Sequence, residues 1–242
     1  METGVCDPRF HLPRTFPTHI TLPIYFSYNA SGCLQIWGWF NMGNLTPLDE
    51  YIDYLNKLKV RLDRYFDQEK PYIACKLGCS ACCKDNNLII SNLEFLFVEK
   101  GIEQLDKSRW KAIKKRAQKL GKEYKKFKKN NIKKNKGFTY QCPFLFDNTC
   151  TIYEHRPLLC RPFGLITRAD CETGMAMPSC LQYGLNYANV ANPVSCTFDK
   201  IKIAALGAPP PQIYDVNYAT LIKDLECGEQ KMIFQWILEK DK

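Results

Sequence analysis

The stretch CKLGCSACC, Cys75 to Cys83, places four cysteines within nine residues, and a second stretch, CPFLFDNTCTIYEHRPLLCRPFG from Cys142 to Gly164, adds three more. The whole chain has 13 cysteines in 242 residues, an odd number that leaves at least one thiol outside any fully paired disulfide framework. The N-terminal METGVCDPRFHLPRTF reads against a secretory leader, since it lacks a basic start and an apolar run. The most apolar segment, LPIYFSYNASGCLQIWGWF, is interrupted by Ser27, Asn29, Ser31 and Gln35 and is too broken to span a bilayer. A cytoplasmic, reducing setting is therefore expected, where clustered cysteines act as ligands or catalysts rather than as bridges.

Cys75, Cys79 and Cys82 have the spacing C-x3-C-x2-C, and Cys83 follows directly. Such short gaps let one tight turn aim several sulfurs at one point, and Gly78 removes the steric bar to that turn. Cys142, Cys150, Cys160 and Cys180 follow at wider intervals, with Pro143, Pro157 and Pro162 stiffening the chain beside them. Pooled thiolates need an offsetting charge. Arg156 and Arg161, on either side of Cys160 in the proline-stiffened segment, are expected to provide it at the cofactor, with Lys76 and Lys84 beside the first cluster. His155 reads as a loop residue rather than a ligand.

Around these loops the patterns are helical. Thr46-Pro47-Leu48-Asp49 reads as a helix start, and Leu48, Tyr51, Ile52, Leu55, Leu58, Leu62, Tyr65 and Phe66 keep helical spacing as far as Pro71. Ser91 with Glu94 is a capping-box pair; Leu93, Leu96 and Phe97 form the expected buried face, and Gly101 the expected end. A last helix is expected over about 217 to 239, after the stiff connector GAPPPQ. Strand signals are few, NLII at 87 to 90 being one. The fold class expected is mainly α, with helices joined by irregular cysteine-rich metal-binding loops and few short strands. Residues 1–41 read as an N-terminal extension or over-called start, 42–200 as the cysteine-cluster domain, and 201–242 as a Pro-rich connector with a C-terminal helix.

The net charge of +9 hides a division: residues 107–136 hold fifteen Lys or Arg and one acid, so that segment is +14 and the remainder −5. Within it Trp110, Ile113, Ala117, Leu120, Tyr124 and Phe127 form a narrow apolar stripe, which predicts a helix docked by that stripe. The lysines on its other faces suit solvent, an acidic partner, nucleic acid or a membrane surface. After Phe127 the period is lost and a loop is expected.

The run CKLGCSACC, then CPFL…CTIYEHRPLLCRPFG, then PSCLQYG, resembles the YkgJ-type cysteine-cluster (CxxCxxCC) family, to which zinc or iron chelation is ascribed. The resemblance covers about residues 72 to 190 and implies Cys75, Cys79, Cys82, Cys83, Cys142, Cys150, Cys160 and Cys180 as metal ligands. It leaves Cys6, Cys33, Cys171, Cys196 and Cys227 outside. Two departures are a first gap of three residues where two is common, and the long lysine insertion between the halves.

Tetrahedral zinc asks for paired C-x2-C knuckles, whereas three cysteines from one loop with others from afar suit iron–sulfur ligation. An iron–sulfur cluster is the favoured cofactor, zinc the alternative, and metal-free thiol chemistry a third. The expected role is a metal-binding protein in electron transfer, sensing or structure. A more distant resemblance to flagellin lysine N-methylases implies an alternative, an S-adenosylmethionine-dependent methyltransferase, although no G-x-G occurs anywhere in the chain. A radical-SAM triad shares the C-x3-C-x2-C spacing, but Ala81 stands where that family has an aromatic residue. A zinc-stapled nucleic-acid module draws only on the lysine segment.

Overall fold

The computed structural model describes residues 25–28, 34–37, 45–76, 78–130, 137–168, 174–192, 195, 197–215 and 227–240. The chain divides into two compact units, Met1–Thr46 and Pro47–Lys242. In the first, Tyr25–Tyr28 (β1) pairs antiparallel with Leu34–Trp37 (β2), Tyr25 opposite Trp37.

The second unit is mainly α. Helix α1, Pro47–Gln68, has Asp49 and Glu50 in its first turn, where carboxylates oppose the helix dipole favourably. It buries Tyr51, Leu55, Leu58 and Leu62 on the face that the sequence spacing marks. A four-residue helix α2, Ala81–Lys84, carries Cys82 and Cys83. Strand β3, Ile89–Ser91, then leads into helix α3, Asn92–Ile102, through the expected capping box. The buried face of α3 differs from expectation. Leu96 is 39% exposed, while Leu93, Phe95, Phe97, Val98 and Ile102 are buried. Gly101 lies inside the helix rather than ending it, and its lack of a side chain makes room for His155, whose Cβ would stand 2.7 Å from a Cβ there.

Helix α4, Lys107–Asn130, docks by its stripe, with Ile113, Ala117 and Leu120 buried and Trp110 and Tyr124 packed against the same core. It continues three residues past Phe127; the rest of the expected loop, 131–136, lies outside the described residues. Two-residue strands follow in antiparallel pairs: Leu145–Phe146 (β4) with Thr149–Cys150 (β5), Thr167–Arg168 (β6) with Met175–Ala176 (β7), and Ala191–Asn192 (β8) with Thr197–Phe198 (β9). Helix α5, Lys200–Leu206, is capped by Asp199, and Gly207 closes it at φ 61°.

The C-terminal segment corrects the sequence expectation. Gln230–Met232 is a strand (β10) paired with β3, and among the described residues of this segment Ile233–Glu239 (α6) is helical; residues 216–226 lie outside the described set. The backbone of β3 offers hydrogen-bond partners that outweigh the local helical pattern. The Trp236 indole N–H donates to Ile90 O at 3.0 Å and stacks on Phe95, fixing α6 against α3 and α4. The proline connector is held by buried Glu69, whose Oε1 accepts from Gln212 N and from the Tyr214 hydroxyl, both at 2.9 Å. All strands among the described residues form two-stranded antiparallel pairs, so the strand–helix repeat that a radical-SAM barrel needs is not found among them. No described helix is long and apolar enough to cross a membrane.

Candidate metal centre

The first cysteine stretch is built on two consecutive turns. Gly78 adopts φ 86°, and Cys79 N donates to Lys76 O at 2.9 Å. Ser80 O then accepts from Cys83 N at 2.9 Å and Lys84 N at 3.1 Å, winding α2 and setting the Cys82 and Cys83 sulfurs 3.9 Å apart.

The second stretch is joined to the first by backbone. Cys142 N donates to Cys83 O at 2.7 Å, and Asn86 and Tyr140 exchange backbone hydrogen bonds of 3.0 and 2.7 Å. Asp147 and Asn148, both at positive φ, make the two-residue reversal between β4 and β5 that puts Cys150 opposite Leu145. The Ser80 hydroxyl, itself buried, donates to Asn148 Oδ1 at 2.9 Å, fastening the hairpin tip to the first cysteine turn. Farther on, Leu158 N–H is shared between the Tyr51 hydroxyl and Glu94 Oε1, each at 3.2 Å. The same buried Glu94 caps α3, so one carboxylate anchors both that helix and the Pro157–Cys160 loop.

Five thiols thereby become electrostatic neighbours: Cys82, Cys83, Cys142, Cys150 and Cys160. A hydrogen bond from Cys83 brings the Cys82 thiol down to about 7, and the same bond, with burial, pushes Cys83 up. Burial pushes Cys142 up to about 12, raises Cys150, and raises Cys160 further, with the neighbouring thiols adding to the last. Arg156 acts in the opposite direction on Cys82, Cys150 and Cys160. Its Nε donates to Tyr153 O at 2.9 Å, and its guanidinium lies 3.6 Å from the Tyr153 ring centre. Arg161 instead clasps its own loop, donating to Arg156 O and Glu154 O at 3.0 Å each. His155 packs its ring on Phe97, centres 5.2 Å apart. Lys76 and Lys84 are exposed.

Cys75, Cys79 and Cys180 form a second neighbourhood. Asn186, 1% exposed, ties it together: its Oδ1 accepts from Ala74 N at 2.9 Å, and its Nδ2 donates to Gly164 O at 2.8 Å and to Cys75 Sγ at 3.1 Å. Gly164, at φ 106°, is required here, since a Cβ would stand 2.9 Å from Cys75 Sγ and 2.8 Å from Asn186 Nδ2. Cys75 as a residue is exposed, yet its sulfur sits under this contact, where burial raises its thiol, the Asn186 hydrogen bond opposes the rise, and Cys79 and Cys82 add to it, so that the two neighbourhoods meet at Cys82. Cys180 is pushed up to about 11, first by burial and then by Cys75.

The nine described cysteines are all free thiols. Burial, and then Glu94, raise the Cys227 thiol; Cys6, Cys33, Cys171 and Cys196 lie outside the described residues. Among the described residues no group of three or more His, Cys, Asp or Glu side chains is disposed to hold a metal ion as it stands. The donor chemistry nevertheless fits a thiophilic metal, for the neighbouring groups are soft sulfurs. A cleft of about 290 Å³, between Asn86–Ile89 and the Leu159, Cys160 and Phe163 segment, opens onto Cys160.

Several residues that build this site escape a reading of the sequence. Asn186, Ser80 and Arg116 act through contacts distant in the chain; Arg116 of α4 donates to Leu145 O and lowers the Cys142 thiol against its burial. Only the Asp-Asn pair at the hairpin tip carries a local signal.

The family model of CxxCxxCC proteins, described as a "Putative zinc- or iron-chelating domain", matches residues 74–181. No curated protein matches the chain, and no solved structure does.

Proposed function

Residues 74–181 belong to the CxxCxxCC family, and from that premise we propose that the protein binds an iron–sulfur cluster, or zinc in its place, through thiolates of the five-cysteine neighbourhood. The observation that carries this reading is the pairing of Cys142 N with Cys83 O, which draws two cysteine stretches far apart in the chain into one electrostatic neighbourhood. Cys82, Cys83, Cys142, Cys150 and Cys160 would supply the ligands, with Cys75, Cys79 and Cys180 serving a second ion or an extension of the first centre. Five sulfurs, two of them adjacent, suit a multinuclear centre better than two zinc knuckles do. Arg156 offsets the thiolate charge, and the burial that keeps Cys142, Cys150 and Cys160 protonated without metal would give a bound centre a low-dielectric shell. A cluster would supply one-electron redox chemistry, and zinc a structural staple.

The test is anaerobic purification followed by an absorption spectrum and iron, sulfide and zinc analysis on one sample. The reading expects a broad band near ~400 nm with iron and sulfide in equal amounts. Colourless protein with tightly held zinc would select the alternative, and metal-free protein that refuses both would overturn the reading. Titration of the same sample with S-adenosylmethionine tests the methyltransferase alternative, for which no feature of the site speaks.

A further inference from the structure

We propose that the outward face of α4, with the groove beside it, binds single-stranded nucleic acid. On this helix Lys111, Lys115, Lys119, Lys122, Lys126 and Lys129 are exposed, and they recur at steps of three or four residues. At 100° per residue they fall within about 80° of arc, and at 1.5 Å rise per residue they run for about 27 Å. The helix has one acid, Glu123, 3.8 Å from Lys119. The lysine row is thus a nearly uncompensated line of positive charge on the side opposite the docked stripe.

Beside it lies a groove of about 570 Å³ between α4 and the β4–β5 hairpin, with Ala112 and Phe146 as its apolar part and Lys115, Arg116, Lys119 and Lys122 around them. Phe146 is flanked by two guanidiniums, Arg116 at 3.6 Å and Arg109 at 4.1 Å from the ring centre. A charged row that follows a phosphate backbone, next to a planar arginine–aromatic stack on which a base can lie, is the combination that single strands use. A membrane surface fits less well, because the apolar stripe of α4 is turned into the core. An acidic protein would match the charge but leave the stack without a purpose.

The test is fluorescence anisotropy of the purified full-length protein with a labelled 20-nucleotide oligo(dT) and oligo(U), from 50 to 200 mM salt. Six phosphate contacts predict a log–log salt slope near −4, a loss of affinity on the order of 100-fold or more over that range. The variant Lys111→Gln/Lys115→Gln/Lys122→Gln/Lys126→Gln should flatten the slope by about 3. Glutamine keeps helix propensity at exposed positions, so folding is preserved and checked by circular dichroism. Phe146→Leu should weaken the oligonucleotide about 10-fold and leave the salt slope unchanged. Absence of binding at 50 mM salt would overturn the proposal. So would equal affinity for polyglutamate of matching charge, which would assign the face to acidic proteins, or tighter binding of the corresponding duplex.

Discussion

The two thiol neighbourhoods are constructed differently. The five-cysteine set is assembled by backbone: a Cys142–Cys83 hydrogen bond, a two-residue hairpin reversal and a buried carboxylate shared between a helix cap and the Cys160 loop. The set of Cys75, Cys79 and Cys180 has one such long-range backbone tie, Tyr187 N to Tyr72 O at 2.7 Å, and otherwise rests on the Asn186 side chain and the space left by one glycine. The first has many redundant supports and the second has few. The five-cysteine set should therefore hold its arrangement without metal, and the other should depend more on a bound ion.

The largest effect that sharpens this contrast is alkaline destabilisation of the metal-free protein. Burial holds Cys142 near 12 and Cys180 near 11 in the folded state, while an unfolded thiol ionises near ~8.5. Both folded values are raised. Stability is therefore fully present below about pH 8.5 and is lost above it, as the unfolded chain releases protons first. These two thiols together should remove roughly 3 to 4 kcal/mol by pH 10, read as a falling thermal midpoint. The Cys180→Ser share should level off at lower pH than the Cys142→Ser share. Metal affinity should move the opposite way and rise with pH, because ligation displaces the protons.

Next in size is Glu94→Ala. It strips the acceptor from Ser91 N and removes one of two acceptors from Leu158 N, both buried, at a cost of about 3 kcal/mol in denaturant unfolding. Its effect on metal content should be confined to the five-cysteine set. Gly164→Ala is smaller, about 1 to 3 kcal/mol from the positive φ alone. Its added methyl displaces Cys75 and Asn186, so faster alkylation of Cys75 in the metal-free variant, with that of Cys142 unchanged, would confirm that the two sets, which meet at Cys82, are supported separately. Equal acceleration at both cysteines would break the distinction.

Much of the frame was legible because it rests on period. Leu55, Leu58 and Leu62 of α1, the Ser91–Glu94 cap, and Ile113, Ala117 and Leu120 of α4 each lie where helical spacing puts them. Period failed where a tertiary partner intervened: Gln230–Met232 follows the open edge of β3 into a strand, and Gly101 makes room for His155. The cysteine stretches announced their chemistry by spacing, but not their division into two sets. That division depends on Asn186, Ser80–Asn148 and the reach of Arg116, polar contacts across distant positions that no local pattern encodes.

The most direct test is metal stoichiometry after anaerobic reconstitution of the wild type, Cys160→Ser and Cys227→Ser, measured by elemental analysis on folded, size-selected protein. The account predicts that Cys160→Ser loses the centre while Cys227→Ser retains the wild-type content, since only Cys160 belongs to the five-thiol neighbourhood. Equal metal content in the two variants would contradict it.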